Sequence, residues 1–129
     1  MENEKILIIE DDEDTRMYLK FFIGKKFQIN IYSTREFYSG GNIQVPVNLI
    51  IFDISIKNKV SGEQVIKKIK ANNRLNHLPL VCLSALTSDQ EREKILALGA
   101  NEFLIKPIAN DKLLEVIEML LTENQRINS

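Results

Sequence analysis

Strand-like and helix-like patterns of apolar residues alternate five times along the chain. The first strand pattern, ILII before Glu10, is continuously apolar, as expected of a strand that is buried on both faces. The second pattern alternates apolar with polar residues, which suits a half-exposed strand at the edge of a sheet. We predict strands at residues 5–9, 27–32, 47–52, 80–83 and 102–105.

Small polar residues precede most of the helix patterns, as N-caps do. The candidate caps are Asp12 or Asp14, Ser33 or Thr34, Ser61 with Gln64, and Ser88 with Glu91. The last two pairs have the spacing of capping boxes. We predict helices at residues 16–25, in a short segment ending near residue 39, and at residues 62–71, 89–98 and 110–122, with Gly99 ending the fourth. The candidate core positions of the first helix are Met17, Leu19, Phe22 and Ile23.

Five strand–helix units predict the fold class. They indicate an α/β protein with a doubly wound, five-stranded parallel sheet of the flavodoxin-like type, with helices on both faces. Right-handed crossovers and burial of the most apolar strands favour the order 2-1-3-4-5, in which strands one and three are neighbours. We expect one domain over residues 1–123, followed by a polar tail or the start of a linker at residues 124–129.

Polar residues end four of the predicted strands. They are Glu10 with Asp11 and Asp12, then Asp53, then Ser84, and finally Lys106 with Pro107. The carboxyl ends of parallel strands meet at the edge where open α/β sheets bind ligands, so we expect these side chains to share one crevice.

Carboxylates from Glu10, Asp11 and Asp53 would repel one another in that crevice. Each pair separated by about 5 Å costs on the order of 3 kcal/mol at an effective dielectric constant near 20. A divalent cation removes this repulsion, and Mg²⁺ binds through one or two carboxylates, waters and phosphate oxygens. The backbone carbonyl of Ser55 is a further candidate ligand.

Phosphoryl transfer is the chemistry that such a crevice favours. Asp53 beside Mg²⁺ could attack phosphorus and form an aspartyl-phosphate. The hydroxyl of Ser84 could donate a hydrogen bond to one phosphoryl oxygen, and Lys106 could neutralise another.

Composition excludes several other classes of function. The net charge of −1 gives no basic excess for binding nucleic acid or an anionic membrane surface. Cys82 is the only cysteine and lies inside an apolar segment, which fits an inert buried thiol in a reducing compartment. With no signal-peptide pattern and no apolar segment of membrane-spanning length, we expect a cytoplasmic protein. His77 lies in a polar loop, where an exposed residue is expected.

The strand endings resemble those of the response-regulator receiver domain of two-component signalling. The resemblance lies in ILIIEDD at residues 6–12, LIIFD at 49–53, VCLSA at 81–85 and LIKP at 104–107. It implies that Asp53 is the phosphoacceptor and that Glu10 and Asp11 are the acidic metal pair. It also implies that Ser84 is the switch hydroxyl, Lys106 the phosphate-contacting lysine and Phe103 the switch aromatic residue. A cis Lys106–Pro107 peptide bond is a further candidate feature.

The resemblance also implies partners and a cofactor. A histidine kinase or a phosphotransfer protein would donate the phosphoryl group, with Mg²⁺ as cofactor and Mn²⁺ as a substitute. Phosphorylation would move Ser84, turn Phe103 inward and reshape the surface of helix four, strand five and helix five. An output protein or domain, or a second copy in a phosphorylation-dependent homodimer, would bind there. We expect a signalling switch that catalyses its own phosphorylation and slow dephosphorylation but is not a turnover enzyme, with no membrane or nucleic-acid contact by this domain.

Three alternative functions make different demands on the sequence. A hydrolytic aspartyl-phosphate enzyme normally has a second aspartate two residues after its nucleophile, where this chain has Ser55. A nucleotide- or flavin-binding module would need a glycine-rich phosphate-binding loop, and none follows any strand. A degenerate receiver that acts by protein contact alone stays open because the loop at residues 57–62 departs from the family pattern, with Lys57 for the usual proline and one extra residue.

Overall fold

A computed structural model of the chain describes residues 4–39, 43, 46–54, 61–85 and 88–127. Its sheet has five strands, all parallel, in the order β2-β1-β3-β4-β5. The strands are β1 (Lys5–Ile9), β2 (Gln28–Tyr32), β3 (Leu49–Ile54), β4 (Leu80–Ser84) and β5 (Glu102–Ile105). The predicted fold class and strand order are confirmed. Ser55 and most of the atypical loop at residues 57–62 lie outside the described residues.

Within the described residues, four helices connect successive strands and a fifth follows β5, and together they cover both faces of the sheet. They are α1 (Glu13–Ile23), α2 (Thr34–Tyr38), α3 (Gly62–Ala71), α4 (Asp89–Ala97) and α5 (Asn110–Ile127). Alternate residues of the central strands belong to two apolar clusters: Ile6 and Ile8 pack with α1 and α5, whereas Leu7 and Ile9 pack with α2, α3 and α4. This two-sided burial explains why β1 is apolar at every position from Ile6 to Ile9.

Side-chain caps fix the helix starts. Asp12, and not Asp14, is the N-cap of α1, and its Oδ2 accepts a hydrogen bond from the backbone N–H of Thr15 at 3.0 Å. Ser33 caps α2 and Ser61 caps α3, each in a complete capping box. The hydroxyl of Ser88 accepts from the backbone N–H of Glu91 at the start of α4. These contacts resolve the two alternatives that the sequence left open.

A glycine ends α4 as predicted. Gly99 has φ of +120°, a conformation that other residues rarely adopt, and a Cβ atom there would lie 2.6 Å from Cε of Lys70. The positive φ explains why the helix stops where the sequence has glycine.

The prediction that Met17 lies in the core is wrong, because its side chain is 70% exposed. Leu19 and Ile23 make the buried face of α1. At 100° per residue, Met17 points about 200° away from Leu19, and Phe21, which is 69% exposed, stands in the same relation to Ile23. The pattern of apolar residues identified the helix but overestimated the width of its buried face.

Several boundaries differ from the predictions. Helix α1 runs from Glu13 to Ile23 and not over residues 16–25. Strand β3 begins at Leu49 and continues through Asp53 to Ile54, so the aspartate lies inside the strand and not after it. Helix α5 continues to Ile127, five residues beyond the predicted end. The side-chain amide of Gln125 donates to the carboxylate of Glu4 at 3.1 Å, which anchors this last part of the helix. Among the described helices, none combines the length and the apolar composition that crossing a bilayer requires.

Candidate functional site

Asp53 lies at the floor of a crevice between the carboxyl ends of β1, β3 and β4. Its side chain comes from the second-last residue of β3 and is 1% exposed. Strand pairing places it beside Leu83 of β4 and one residue beyond the Ile9–Phe52 pair of β1 and β3. The central position of β3 in the sheet therefore buries a carboxylate.

Lys106 supplies the positive charge next to this carboxylate. Its Nζ lies 2.5 Å from Oδ2 of Asp53, and its side chain is 32% exposed. The backbone N–H of Lys106 donates to the carbonyl of Ser84 at 2.8 Å, which fixes the lysine just after β5. The following peptide bond, Lys106–Pro107, is cis, as predicted.

Glu10 faces Asp53 from the end of β1. It is 2% exposed, and its Oε1 accepts the backbone N–H of Asp12 at 2.8 Å. Burial first, and then the adjoining Asp53 carboxylate, raise the pKa of Glu10 to about 8, against the smaller opposing effects of the Asp12 N–H and the charge of Lys106. Protonated Glu10 can place a hydrogen between the two carboxyl groups.

Two buried oxygens of this pair have no partner in the described part of the chain, Oε2 of Glu10 and Oδ1 of Asp53. Oδ2 of Asp53 has only the ion pair with Lys106. Buried polar atoms are normally hydrogen-bonded, so these oxygens point to a ligand. Carboxylate oxygens are what a hard cation such as Mg²⁺ prefers, and one or two carboxylates are enough for it. The residues therefore fit Mg²⁺.

Asp11 has different partners from Glu10. Its Oδ1 accepts the backbone N–H of Thr34 at 2.6 Å, and its Oδ2 accepts the hydroxyl of the same residue at 2.7 Å. We expected three carboxylates to lie together. Glu10 and Asp53 do so, whereas Asp11 is directed toward the start of α2. Within the described ranges, no three His, Cys, Asp or Glu residues form a group that could hold a metal by themselves.

Ser84 and Phe103 lie on the strands beyond Asp53. Ser84 is the last residue of β4, is 4% exposed and pairs with Ile54 and Ile105 of the neighbouring strands. Phe103 is 6% exposed and packs in the cluster that contains Ile95. The expected inward turn of Phe103 on phosphorylation finds no support here, because the ring is already buried in this structure.

An open groove leads to Asp53 and Lys106. It has a volume of about 550 Å³, and α1 lines it on one side while the segment after β5 lines it on the other. Tyr18 of α1 and Asn110 at the start of α5 meet across it, with the tyrosine hydroxyl donating to the Asn110 side-chain oxygen. Most of the exposed lining is apolar, so a planar ring could enter beside the charged floor.

Sequence reasoning missed Thr34, Tyr18 and Asn110 as parts of the site. Thr34 was considered only as a helix cap, since a contact between residues 23 positions apart leaves no periodic signal. The contact between Tyr18 and Asn110 spans 92 positions and depends on the packing of two helices. The predicted strand order places both pairs near the same sheet edge, but only the packing of the helices brings their side chains into contact.

Comparisons with known proteins agree with this geometry. The family model described as response regulator receiver domain matches residues 6–118. Among solved structures, a two-component response regulator from Clostridium difficile is 29% identical, with a TM-score of 0.82 over 98% of this chain and 100% of that one. The signal receiver domain of a histidine kinase from Syntrophus aciditrophicus is 25% identical, with a TM-score of 0.76 over 93% and 91% of the two chains.

Curated relatives contain a similar segment within longer proteins. The transcriptional regulatory protein CusR of Escherichia coli K12 is 31% identical over 91% of this chain and 51% of its own length. The chemotaxis protein CheV2 of Helicobacter pylori is 27% identical over 93% and 39%, respectively. The sensor histidine kinase TmoS of Ectopseudomonas mendocina is 24% identical over 92% and 12%. The chain thus spans about half or less of the length of these three proteins.

The family match covers most of the chain and, apart from Lys5, all of the described strands from β1 to β5. It also covers every residue of the crevice, from Glu10 to Lys106. The chain belongs to the response regulator receiver domain family.

Proposed function

We propose that this chain accepts a phosphoryl group on Asp53, in a reaction that requires Mg²⁺, from the phosphohistidine of a histidine kinase or a phosphotransfer protein. The observation that supports this most is the state of the Asp53 carboxylate. It is buried, its Oδ1 has no hydrogen-bond partner within the described residues, and its Oδ2 is paired only with the ammonium of Lys106, 2.5 Å away. A buried carboxylate in this state is poised to gain a ligand or a covalent partner.

The transfer forms one bond and breaks one bond. An oxygen of Asp53 attacks phosphorus, the bond between phosphorus and the imidazole nitrogen breaks, and its electron pair returns to the ring. Lys106 lies where it can pair with a phosphoryl oxygen, and Ser84 ends the neighbouring strand at the same edge. Bound Mg²⁺ would supply charge neutralisation for the phosphoryl oxygens, and Glu10 and Asp53 would hold it.

The groove and the adjacent face of α1 suit a protein donor. The apolar lining beside Asp53 can admit an imidazole ring, and Met17 and Phe21 expose large apolar side chains on the same helix that lines the groove. Exposed apolar patches of this kind mark interaction surfaces. The kinase and regulator names of TmoS and CusR fit a role for this chain between a histidine kinase and an output.

The proposed output surface consists of α4, β5 and α5. Ile105 of β5 is 54% exposed there, next to the phosphate-contacting lysine, and Phe103 of the same strand packs beneath α4. A phosphoryl group on Asp53 adds roughly two negative charges at the sheet edge, which can change the position of Lys106 and of the strand that it follows. We propose that this makes the chain a signalling switch and not a turnover enzyme.

A phosphorylation experiment tests the proposal directly. The protein is incubated with Mg²⁺ and a small phosphodonor such as phosphoramidate, and its intact mass is measured over time. We expect one added phosphoryl group in the wild type and none in Asp53→Asn or after chelation of the metal. No added mass in the wild type would overturn the proposal and favour signalling by protein contact alone.

A further inference from the structure

The carboxylate of Asp11 accepts two hydrogen bonds from a single residue of α2. Thr34 donates its backbone N–H to one carboxylate oxygen and its hydroxyl to the other, at 2.6 Å and 2.7 Å. Thr34 is 3% exposed, whereas Asp11 is exposed. A buried residue with two donors therefore fixes the orientation of an acid that otherwise faces solvent.

We infer that Thr34 is a positioning residue that holds Asp11 ready as a ligand for the divalent cation. This inference rests on the proposed function, because it assumes that the cation binds at the crevice. It adds a residue outside the strand endings to the metal site, and it connects that site to the start of α2.

The neighbours of Asp11 leave it available for this role. Glu10 uses Oε1 to accept the backbone N–H of Asp12, and Asp12 uses its carboxylate to cap α1 through Thr15. The three consecutive acids thus have three different sets of partners. Asp11 is needed neither for the helix cap nor for the contact with Asp53.

The backbone around Thr34 is itself held in place by hydrogen bonds. Ser33 and Glu36 form a reciprocal capping box, with the N–H of Ser33 donating to the Glu36 carboxylate at 2.8 Å and the N–H of Glu36 donating to the Ser33 hydroxyl at 3.0 Å. The N–H of Glu10 donates to the carbonyl of Tyr32 at 2.9 Å, which joins β1 to the end of β2. Both donors of Thr34 are therefore held in place relative to Asp11.

The hydrogen bonds from Thr34 leave room for a metal. An ionised carboxylate has about four acceptor positions, and Thr34 uses two of them. A carboxylate that is already oriented loses less conformational freedom when it coordinates an ion. Removing such an outer partner of a metal ligand typically weakens metal binding by about 10–100-fold. Without the Thr34 hydroxyl, Oδ2 of Asp11 loses its partner and the side chain can rotate.

A Mg²⁺ titration of four variants, followed by the backbone amide shifts in ¹⁵N NMR spectra, tests the inference. Thr34→Val keeps the shape and the backbone donor but removes the hydroxyl, and we expect it to raise the dissociation constant for Mg²⁺ about tenfold. Thr34→Ser restores the hydroxyl and is expected to stay within about twofold of the wild type. Wild-type or tighter affinity in Thr34→Val would overturn the inference, and the tighter value would mean that Thr34 competes with the ion.

Two controls separate the failure of this inference from other failures. Ser33→Ala weakens the start of α2 but leaves both donors of Thr34, so it should bind Mg²⁺ as the wild type does; an equal loss in both variants would mean that helix stability, and not the hydroxyl, matters. Asp11→Asn should lose most of the affinity. Unchanged affinity in Asp11→Asn would overturn the inference, while phosphorylation of Asp53 could still proceed and leave the proposed function intact.

Discussion

The middle of the central strands and the carboxyl ends of the same strands are built in opposite ways. In the middle, Ile8, Ile51 and Val81 are fully buried among other apolar side chains. Two residues further along β1 and β3, Glu10 and Asp53 are almost as deeply buried, but each leaves one carboxylate oxygen with no partner among the described residues. Burial therefore stabilises the fold in one region and opposes it in the other.

This contrast shows how one sheet can combine a stable frame with a reactive edge. Apolar burial contributes about 25 cal/mol per Å² and does not depend on any ligand. Two facing carboxyl groups destabilise the ligand-free protein unless they share a proton or bind a cation. The apolar middle of the sheet keeps these groups together, so a positively charged ligand would stabilise the edge.

The largest effect is expected from a substitution in the apolar region. Phe52→Ala removes a fully buried ring beside Asp53, and a loss of about 3–5 kcal/mol in the free energy of unfolding is expected. Urea unfolding followed by circular dichroism measures it. Asp53→Asn, one residue further along β3, is the matched control and should unfold at the wild-type urea concentration or above it. A marked loss of stability in Asp53→Asn would contradict the contrast between the two regions.

A smaller effect, dependent on pH, is expected from the charged region. The folded protein keeps a proton on Glu10 up to about pH 8, whereas the unfolded chain loses it near pH 4.5. The folded state binds more protons between these values, so the free energy of unfolding should fall as the pH rises from about 4.5 to 8, by at most a few kcal/mol. Urea titrations of the metal-free protein at several pH values measure this slope.

Glu10→Gln supplies the control for this pH dependence. The variant has no proton to lose at this position, so its stability should change less with pH than that of the wild type. Saturating Mg²⁺ should also flatten the wild-type slope, because the cation stabilises ionised Glu10. Equal slopes in the wild type and in Glu10→Gln would show that another group controls the pH dependence.

The smallest effect on stability is expected at the exposed face of α1. Phe21→Ser should change the free energy of unfolding by no more than about 0.5 kcal/mol, because the ring is 69% exposed. The same substitution should slow phosphoryl transfer from a histidine kinase several-fold while leaving the reaction with phosphoramidate unchanged. Met119→Ser on α5, where the side chain is 42% exposed, is the matched control. Equal kinase rates for both variants would remove α1 from the docking surface.

The parts of the fold that sequence patterns predict are those fixed by local chemistry. Apolar runs identified all five strands, and the Ser61 capping box and Gly99 identified a helix start and a helix end, because each depends on neighbouring residues. The position of Asp53 at the sheet edge followed from strand order alone. The pairing of Asp11 with Thr34 did not, because it depends on how α2 sits against the end of β1.

Met17 and the end of α5 show two other limits of sequence patterns. An apolar side chain can serve the core or a surface, and periodicity alone assigned Met17 to the core although the structure exposes it. A polar sequence after residue 122 indicated a helix end, but the contact of Gln125 with Glu4 lets α5 continue through polar residues. In both cases the deciding interaction lies outside the helix.

The contact between Gln125 and Glu4 has a practical consequence for labelling. It joins the late part of α5 to the residue just before β1, at the amino edge of the sheet. A fluorophore or an affinity handle attached next to either residue would project from the side of the domain that faces away from Asp53. Surface immobilisation through such a handle would keep the crevice open to incoming donors.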